Sequence, residues 1–376
     1  MPNEVDEWLL ANLLCPRDHS ALSAEGTNLI CCAGHQYPVV RGVPVMLLTE
    51  AEDTLWVASA SLKEAQRACA LNPDGADGYF LETLGVDKDQ REGIRSELRE
   101  ASPEGVDPVV RYIVGHTCGC PYRSLSGKLS RYPIPEPRLP SGNGDLFLEI
   151  GCNWGRWCIA ASRKGYAPVG IDPSLGAVMA ARRVAAQLDV PGRFVVADGR
   201  YLPFRAGRFD VVFSYSVLQH FSKDNAKLAL AEVARVLKNG GASLIQMPNR
   251  FGVRSLQHQI RAAFREETGF DIRYWTLPEL RRVFSELIGL SSIQVDGYFG
   301  LGIQPRDKDL LPAQYRLVVN CSEALRTLSR TLPWMKYFAD SVYVTSVRQR
   351  QEHLSDPVLP QSKMESPLQH RPGAMG

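Results

Sequence analysis

The sequence predicts an α/β fold with a mostly parallel sheet and a small N-terminal module, and two observations lead to this prediction. Between about residues 145 and 247, short apolar runs alternate with segments of helical length, which is typical of βαβ units. Upstream, two short clusters of cysteine and histidine lie within residues 1–50. A segment of that size buries little apolar surface, so a metal or the rest of the chain must hold its shape.

The elements of the α/β region follow one another in a regular order. Strands are predicted near 145–150, 167–171, 193–197, 209–214 and 242–247, with helices near 155–165, 174–188 and 223–237 between them. A further helix near 277–288 precedes strands near 292–297 and 341–347. The turn at Lys238–Gly241 should end the third helix, because glycine tolerates the left-handed conformation that follows a helix C-terminus.

The 376 residues are long enough for about two domains, and the texture of the chain divides it further. A helix is predicted near 53–70, and a stretch rich in Pro, Gly and Ser then reads as a linker or covering loop. The regions predicted are an N-terminal module at 1–50, a connector covering the active site at 51–140, the α/β domain at 141–348 with insertions at 250–276 and 298–340, and a disordered tail at 349–376.

Composition limits the classes of partner that this chain can have. The 43 Lys and Arg residues are balanced by 41 Asp and Glu, so no global positive field favours nucleic acid, and we do not expect a nucleic-acid partner. No apolar run is long enough to predict a membrane span, and the acidic N-terminus does not resemble a signal peptide. Nine cysteines, an odd number spread over a long chain, fit reduced thiols and a cytoplasmic protein.

The segment LFLEIGCNWGRW, residues 146–157, carries the most informative pattern. An apolar strand ends at Glu149 and leads into a loop with Gly151 and Gly155, after which a helix begins. In an open α/β sheet, such a strand, glycine turn and helix N-terminus form a ligand site at the carboxyl ends of the strands. The loop lacks the third glycine of the dinucleotide fingerprint, so a turn that merely requires glycine is the alternative at this point.

Two further acids favour a nucleoside ligand. Asp172 ends the second strand and is placed to accept hydrogen bonds from both ribose hydroxyls, while Asp198 ends the third strand and can accept from an adenine amino group. The loop has no Gly-Lys-Ser/Thr sequence and carries an additional acid that would repel a pyrophosphate. A nucleoside without phosphates is therefore the better fit.

Five ordered motifs resemble those of class I S-adenosylmethionine-dependent methyltransferases of the methyltransferase type 11-like kind. They are LEIGCNWGRW, GIDPS, VVADGRYLPF, RFDVVFSYSVLQHF and RVLKNGGASLIQM. The resemblance implies a Rossmann-like, mostly parallel seven-stranded sheet with S-adenosylmethionine as the cofactor. It further implies that Gly151 and Gly155 admit the methionine part, that Asp172 holds the ribose, and that Asp198 with Gly199 faces the adenine.

The same resemblance implies that Glu149 orders the loop, with Asn153 and Ser214 completing the expected cofactor site. The departure from the family lies at Asn153 and Trp154, where a small residue and a glycine are common. Trp154 either packs over the cofactor or the substrate, or it belongs to the core together with Trp157.

Methyl transfer to a hydroxyl requires a positioned nucleophile and a base that takes its proton. His220 follows the fourth strand and is one candidate base, because the unperturbed imidazole pKa lies near neutrality. Its alternative role is to serve the helix start or the cofactor pocket. Tyr215 is a second candidate, and His258 is a third, since related small-molecule enzymes place substrate contacts in this insertion. The arginines and aromatic residues around His258 suit an anionic or aromatic acceptor, or else an amphipathic lid helix.

The N-terminal clusters resemble the short zinc-ribbon-like domains that activate methyltransferases or are fused to them. Cys15, His19, Cys31 and His35 are the predicted ligands of a Zn²⁺ ion. A carboxylate at Asp18 is an alternative ligand, and a degenerate ribbon held by docking is an alternative to metal binding. The sequence HTCGC at 116–120 has no common metal-site spacing and is expected to be a loop.

The leading functional hypothesis is therefore an S-adenosylmethionine-dependent methyltransferase with a small-molecule or glycan-type acceptor. O-methylation of a small molecule, a secondary metabolite or a sugar- or lipid-linked precursor is favoured. One alternative is an RNA base methyltransferase of the rRNA guanine type, because some of these enzymes also carry a zinc ribbon before this fold. Another is an inactive cofactor-binding scaffold with a docking module.

Overall fold

A computed structural model describes residues 4–54, 56–70, 78–100, 105–265, 267–300 and 302–349. Apart from Gln349, the tail predicted at 349–376 lies outside these residues. Within the described residues, no helix combines the length and the apolar character that crossing a bilayer would require.

One sheet of eleven strands runs through the described part of the chain. In chain order the strands are β1 Leu22–Glu25, β2 Asn28–Cys31, β3 Gln36–Val40, β4 Val43–Met46, β5 Leu146–Ile150, β6 Ala167–Asp172, β7 Arg193–Ala197, β8 Phe209–Ser214, β9 Leu237–Pro248, β10 Gly289–Gly297 and β11 Ser341–Arg348. Their order in space is β1-β2-β3-β4-β7-β6-β5-β8-β9-β11-β10.

The seven strands from β7 to β10 in this order confirm the predicted Rossmann-like, mostly parallel sheet. Strands β7, β6, β5, β8 and β9 are parallel, and β11 joins the sheet antiparallel to both β9 and β10. Because β5 pairs with β6 on one side and with β8 on the other, the connections leave it in opposite directions. Such a reversal of strand order opens a crevice at the carboxyl ends of the strands, where ligands bind.

Four helices of the α/β domain, Arg156–Arg163, Leu175–Gln187, Lys223–Val236 and Leu277–Leu287, begin and end within about two residues of the predicted bounds. The helices of the structure are α1 Glu7–Asn12, α2 Val57–Ala70, α3 Lys88–Glu100, α4 Pro108–Thr117, α5 Arg156–Arg163, α6 Leu175–Gln187, α7 Lys223–Val236, α8 Val253–Arg261, α9 Leu277–Leu287 and α10 Ala313–Leu328. Ser174, Ser222 and Thr276 each accept a hydrogen bond from a backbone amide of the first turn that follows.

The predicted end of α7 was wrong in its detail. The helix ends at Val236, and Leu237 adopts an extended conformation in place of a left-handed glycine. Gly240, at φ 80°, lies instead in an irregularity of β9, where pairing with β8 passes from Phe209 and Leu237 to Val211 and Ala242. The two glycines therefore accommodate extra residues in a strand.

The N-terminal module continues the sheet of the α/β domain. Strand β4 pairs in parallel with β7, with Val45 beside Val196 and Met46 beside Ala197. The apolar run at 37–48 contains a hairpin of β3 and β4, because Arg41 and Gly42 turn the chain at positive φ. The apolar residues of β4 are buried against the larger domain, so backbone pairing and packing together hold the module in place.

The connector packs on the helices that flank the cofactor-side loops. The Ser61 hydroxyl accepts a hydrogen bond from the amide of Leu175, and the Thr83 hydroxyl accepts one from Gly176, both at the start of α6. Within the Pro-, Gly- and Ser-rich stretch, Leu129 and Ile134 are buried. This stretch is therefore part of the packed structure.

Candidate functional site

The glycine loop joins β5 to α5 at the reversal of strand order. Gly151 and Gly155 have φ values of 76° and 80°, in the left-handed region that favours glycine. A Cβ atom on Gly155 would lie 3.1 Å from the Ala181 Cβ and from the Phe194 ring. The glycine at this position therefore allows close packing of the loop, and Asn153 also adopts positive φ between the two glycines.

Asp172 lies beside this loop, at the end of β6. Its carboxylate accepts hydrogen bonds from the backbone amides of Asn153 at 3.0 Å and Ser174 at 2.9 Å. Burial raises its pKa to about 6. Asp172, the residue predicted to bind the ribose, and Asn153, predicted to lie in the cofactor loop, are thus in direct contact.

Glu149 is buried within β5, just before the glycine loop, and its side chain contacts the protein itself. Its carboxyl oxygen accepts a hydrogen bond of 2.8 Å from the amide of Cys158, which fixes helix α5 against β5. Burial raises the pKa of Glu149 to about 8. Ser214 is similarly engaged, because its hydroxyl donates to the carbonyl of Ile150 at 3.0 Å.

Asp198 and Gly199 follow β7, as predicted for the adenine side. Arg200 holds the Asp198 carboxylate in a bidentate ion pair, with an N–O distance of 2.6 Å. A Cβ on Gly199 would lie 2.7 Å from Ile150 Cγ2, so a side chain there would intrude on the end of β5. Arg200 was missed at the sequence level, although its position two residues after an acid is visible.

Trp154 belongs to the core, which decides between the two roles left open for it. Its side chain is buried, its indole donates to the Thr117 hydroxyl at 3.3 Å, and its ring lies 5.8 Å from that of Tyr132. Trp157 packs against Phe213 on the sheet. The indole of Trp154 thus faces the connector.

A cavity of about 390 Å³ lies beyond the carboxyl ends of β8 and β9. Tyr215 and Ser216 contribute to it from the segment after β8, while α8 and the 298–340 insertion form much of the remaining wall. Its charged and histidine lining residues are Arg138, Arg254, His258, Arg261, Asp296, Glu323 and Asp340. This volume is within the range of small-molecule sites.

A buried carboxylate organises one wall of the cavity. Asp296 accepts hydrogen bonds from the hydroxyls of Tyr215 at 3.1 Å and Ser341 at 2.7 Å, and Arg138 pairs with its other oxygen at 3.2 Å. The Tyr215 hydroxyl also accepts a hydrogen bond from the Gln304 amide. Tyr215 is thereby held in place as a wall residue, with its proton directed to Asp296.

Asp296 and Arg138 were missed by sequence reasoning. Asp296 ends a predicted strand, as Asp172 does, and this position was the available signal. Arg138 lies in a stretch interpreted as a linker, where no local pattern marks a functional residue.

His220 lies outside the cavity lining. Its Nδ1 donates to the carbonyl of Phe270 at 2.8 Å, its Nε2 accepts from the Gln219 amide at 3.2 Å, and the Phe270 ring stacks on it. Burial lowers its pKa to about 4. Both ring nitrogens are occupied by the surrounding protein, which suits the alternative role at a helix start, since Ser222 caps α7 two residues later.

His258 does line the cavity. It lies on α8, and its Nδ1 is 3.1 Å from the hydroxyl of Tyr274. Within the described residues, Nε2 of His258 has no hydrogen-bond partner, so this nitrogen is available to a molecule in the cavity. Of the three predicted catalytic side chains, His258 and Tyr215 are thus brought to one cavity and His220 is not.

A second cluster lies in the N-terminal module, where Cys15, Asp18, Cys31 and His35 each offer a ligand atom within 4.8 Å of the others. His35 Nδ1 is 3.4 Å from Cys15 Sγ, 3.3 Å from Cys31 Sγ and 3.3 Å from Asp18 Oδ2. Asp18 thus takes the place predicted for His19, whose ring turns toward Glu232 on α7 because its backbone is left-handed at φ 56°.

The HTCGC segment forms no such cluster among the described side chains. His116 lies in the last turn of helix α4 and hydrogen-bonds Gln90, while Cys118 is buried as the residue that caps this helix. The loop expected there is thus partly a helix, because the apolar run before it packs on the connector core.

Comparison with known proteins identifies the α/β region. Residues 147–241 match a protein family described as "Methyltransferase domain". The tRNA (carboxymethyluridine(34)-5-O)-methyltransferase of Schizosaccharomyces pombe is 32% identical over 115 residues, 30% of this chain and 46% of that protein. The ubiquinone biosynthesis O-methyltransferase of Brucella ovis is 32% identical over 129 residues, 34% of this chain and 49% of that protein. The chain spans about half of each of these relatives.

Two solved structures are similar over somewhat more than half of the chain. The YcgJ protein of Bacillus subtilis is 20% identical, with 55% of this chain and 93% of that chain covered and a TM-score of 0.38. A Haloferax volcanii complex contains the Trm112 methyltransferase activator and a protein assigned as a methyltransferase. The matched chain of this complex is 20% identical, with 57% of this chain and 86% of that chain covered and a TM-score of 0.40.

Proposed function

Because residues 147–241 are a methyltransferase domain of the class I, S-adenosylmethionine-dependent kind, we propose that this protein methylates a small acceptor bound in the 390 Å³ cavity. The acceptor class is a hydroxylated small molecule or a sugar- or lipid-linked precursor. The observation that carries this proposal is the position of the cavity, which begins at Tyr215 directly after β8 and is closed by the two insertions.

The cofactor site uses the loop and acids at the carboxyl ends of β5, β6 and β7. Asp172 accepts the ribose hydroxyls, and Asp198 with Gly199 faces the adenine. Gly151, Asn153 and Gly155 border the methionine part of the cofactor. Glu149 and Ser214 act from behind, since each is hydrogen-bonded to the strand and helix that carry the loop. When bound, S-adenosylmethionine supplies an electrophilic methyl group.

His258 is the base that this arrangement supports for a hydroxyl acceptor. A neutral imidazole whose Nδ1–H donates to Tyr274 presents the Nε2 lone pair to the cavity. Tyr215 and Asp296 hold the opposite wall, and Arg254 and Arg261 provide positive charge for an anionic acceptor.

The test compares His258→Gln with the matched control His220→Gln in the full-length protein. Labelled S-adenosylmethionine is incubated with separate small-molecule, lipid and RNA fractions of the source organism, and cofactor affinity is measured by calorimetry. His258→Gln should lower turnover by about 100-fold or more without changing cofactor affinity, whereas His220→Gln should retain most turnover. Label in none of the fractions, or a loss only in His220→Gln, would contradict the proposal.

Transfer to RNA is the second candidate function, and it is favoured by similarity to relatives that are named for tRNA modification. The Schizosaccharomyces pombe relative, for example, is named for a modified tRNA uridine. A flipped base could enter the same cavity. Label in the RNA fraction, with binding that weakens steeply as salt rises, would make this the function.

The N-terminal cluster fits a structural zinc ion. Ligands at 2.0–2.3 Å from a tetrahedral zinc lie about 3.3–3.8 Å apart, and the distances around His35 Nδ1 have this size. Two thiolates, an imidazole and a carboxylate form a suitable donor set. We propose that Cys15, Asp18, Cys31 and His35 hold zinc and thereby shape the module that pairs with β7.

A further inference from the structure

Helix α8 has an unusual distribution of polar and apolar side chains. A surface helix of a globular protein normally buries its apolar stripe. Here the buried positions are Ser255 and Gln259, one turn apart, whereas Leu256 and Ile260 are exposed on another face, Ile260 to 58%. Helix α8 therefore packs on the rest of the protein through polar side chains, and its aliphatic side chains face solvent.

The exposed apolar stripe extends beyond these two leucine and isoleucine side chains. Val253, Leu256 and Ile260 follow one another at spacings of three and four residues, which places them on one side of the helix. Phe264, three residues after the end of the helix, is 59% exposed. Phe251 precedes them and is 54% exposed. A contiguous apolar surface of this kind marks an interaction site.

The charged residues of α8 and of the segments directly before and after it have one sign up to Arg265, and Glu266 and Glu267 follow them in the sequence. Residues 249–265 contain four arginines and no acid. Within the described residues, no ion pair neutralises Arg250, Arg254 or Arg261. The partner of this surface is therefore expected to carry negative charge.

A short 3-10 helix, Pro333–Phe338, carries exposed aromatic residues close to the start of α8. The Asn249 side chain donates to the carbonyls of Tyr337 and Ala339, so this segment lies against the start of α8. Trp334 and Phe338 are 58% and 52% exposed, and Lys336 lies between them. Exposed Trp, Tyr and Phe with Lys and Arg are typical of residues at the interface between a bilayer and water.

We propose that α8 together with Pro333–Phe338 docks on an anionic lipid bilayer, and we call this surface the docking face. The apolar stripe enters the boundary between headgroups and acyl chains, while Arg250 and Lys336, which do not line the cavity, contact anionic headgroups. The aromatic rings and arginines of this face could also stack on RNA bases, but Val253, Leu256 and Ile260 offer RNA neither stacking nor hydrogen bonds. The aliphatic stripe therefore favours a lipid surface over a nucleic acid.

The docking face also relates the bilayer to the cavity. Arg254, His258 and Arg261 project from α8 into the cavity, on a side of the helix adjacent to the apolar stripe. Docking would therefore place the cavity entrance beside the lipid, and the acceptor class becomes a membrane-dissolved or lipid-linked hydroxyl compound. This last step rests on the proposed function, whereas docking itself does not.

The experiment measures co-sedimentation of the full-length protein with phosphatidylcholine vesicles, with and without roughly one third phosphatidylglycerol. We expect binding to the anionic vesicles that weakens as salt rises, and little binding to neutral ones. The double variant Leu256→Ser/Ile260→Ser should bind anionic vesicles more than about ten-fold more weakly, because it lacks the two aliphatic side chains that enter the lipid. Leu228→Ser, at an exposed leucine of α7, is the matched control and should bind like wild type.

Circular dichroism and calorimetric cofactor binding are measured on each variant to show that it is folded. Absence of binding to anionic vesicles at low salt overturns the inference, as does equal binding by wild type and the double variant. So does a loss of tRNA binding or of self-association in the double variant that occurs without any vesicle binding. Vesicle binding needs neither cofactor nor turnover, so its failure is distinguishable from failure of methyl transfer.

Discussion

Arg156 Nη2 lies 3.1 Å from Asp307 Oδ2, and both side chains are buried. Arg156 is the first residue of α5, directly after the glycine loop, whereas Asp307 belongs to the 298–340 insertion. The hydroxyl of Tyr122, from the connector, donates to the same carboxylate oxygen at 2.6 Å. The loop, the connector and the insertion are thus joined at one buried carboxylate.

Replacing Asp307 with alanine should be strongly destabilising. The change leaves the Arg156 guanidinium buried without its counter-ion, which typically costs about 3–5 kcal/mol. Chemical denaturation measures the loss. Asp309 is an exposed acid in the same 3-10 helix, Pro305–Leu310, and Asp309→Ala should change the free energy of unfolding by less than about 0.5 kcal/mol. Equal stability of the two variants would show that the pair does not hold the insertion.

Cofactor affinity should depend on pH through Asp172. The carboxylate must be ionised to accept the ribose hydroxyls, and burial raises its pKa to about 6 in the protein without cofactor. Lowering the pH through this value protonates the Asp172 carboxylate, so the Kd for S-adenosylmethionine should rise. Calorimetry at a series of pH values measures this change.

Asp172→Asn should weaken cofactor binding by more than about ten-fold and flatten this pH dependence. The exposed acid Asp189 supplies the control, since Asp189→Asn should reproduce the wild-type curve. An unchanged Kd in Asp172→Asn would contradict the assigned ribose site.

Glu149 should make the protein without cofactor less stable as pH rises. Its pKa is about 8 in the fold against an ordinary value of 4.5, because burial disfavours the carboxylate. Between these values the folded state binds more protons than the unfolded state, so the free energy of unfolding contributed by this group falls with pH.

Glu149→Gln mimics the protonated side chain and should remove that fall. The variant should gain stability relative to wild type as pH increases from about 4.5 to about 8, as measured by denaturant titration. Glu286→Gln, at an exposed residue of α9, should leave the wild-type slope unchanged. A parallel pH profile in Glu149→Gln would mean that the carboxyl is ionised in the fold.

Local patterns were sufficient to predict the central part of the fold and the loop at its active end. The strands from β5 to β8 and the helices between them have apolar periodicity and capping serines within a few residues of one another, so their bounds followed from the sequence. Asp172 and the glycines lie at strand ends, and strand ends meet at one edge of a parallel sheet.

The cavity could not be predicted in the same way, because its residues are distant in sequence and are joined by tertiary contacts. Arg138 pairs with Asp296 across more than 150 residues, and no periodicity links them. His220 shows the opposite problem, since its position after β8 suggested catalysis while packing of Phe270 occupied its ring. In the N-terminal cluster Asp18, and not the adjacent His19, lies close to Cys15, Cys31 and His35, and the spacing of residues along the chain does not distinguish between these two neighbours.

Loss of the N-terminal metal cluster should weaken the edge of the α/β sheet. If Cys15, Asp18, Cys31 and His35 bind zinc, elemental analysis should find about one zinc per chain in the wild type and almost none in Cys31→Ser. Removal of the ion leaves the buried thiols without their metal and removes a constraint on the hairpin of β3 and β4. The pairing of Val45 with Val196 should therefore loosen. Hydrogen exchange of the β4 and β7 amides and the unfolding temperature measure this effect, and both should change in Cys31→Ser and after chelation of the wild type.

Cys32→Ser removes the adjacent exposed thiol and should keep zinc, exchange protection and unfolding temperature at wild-type values. Wild-type protein that contains no zinc, and whose stability a chelator does not alter, would leave backbone pairing and packing as the sole supports of the module.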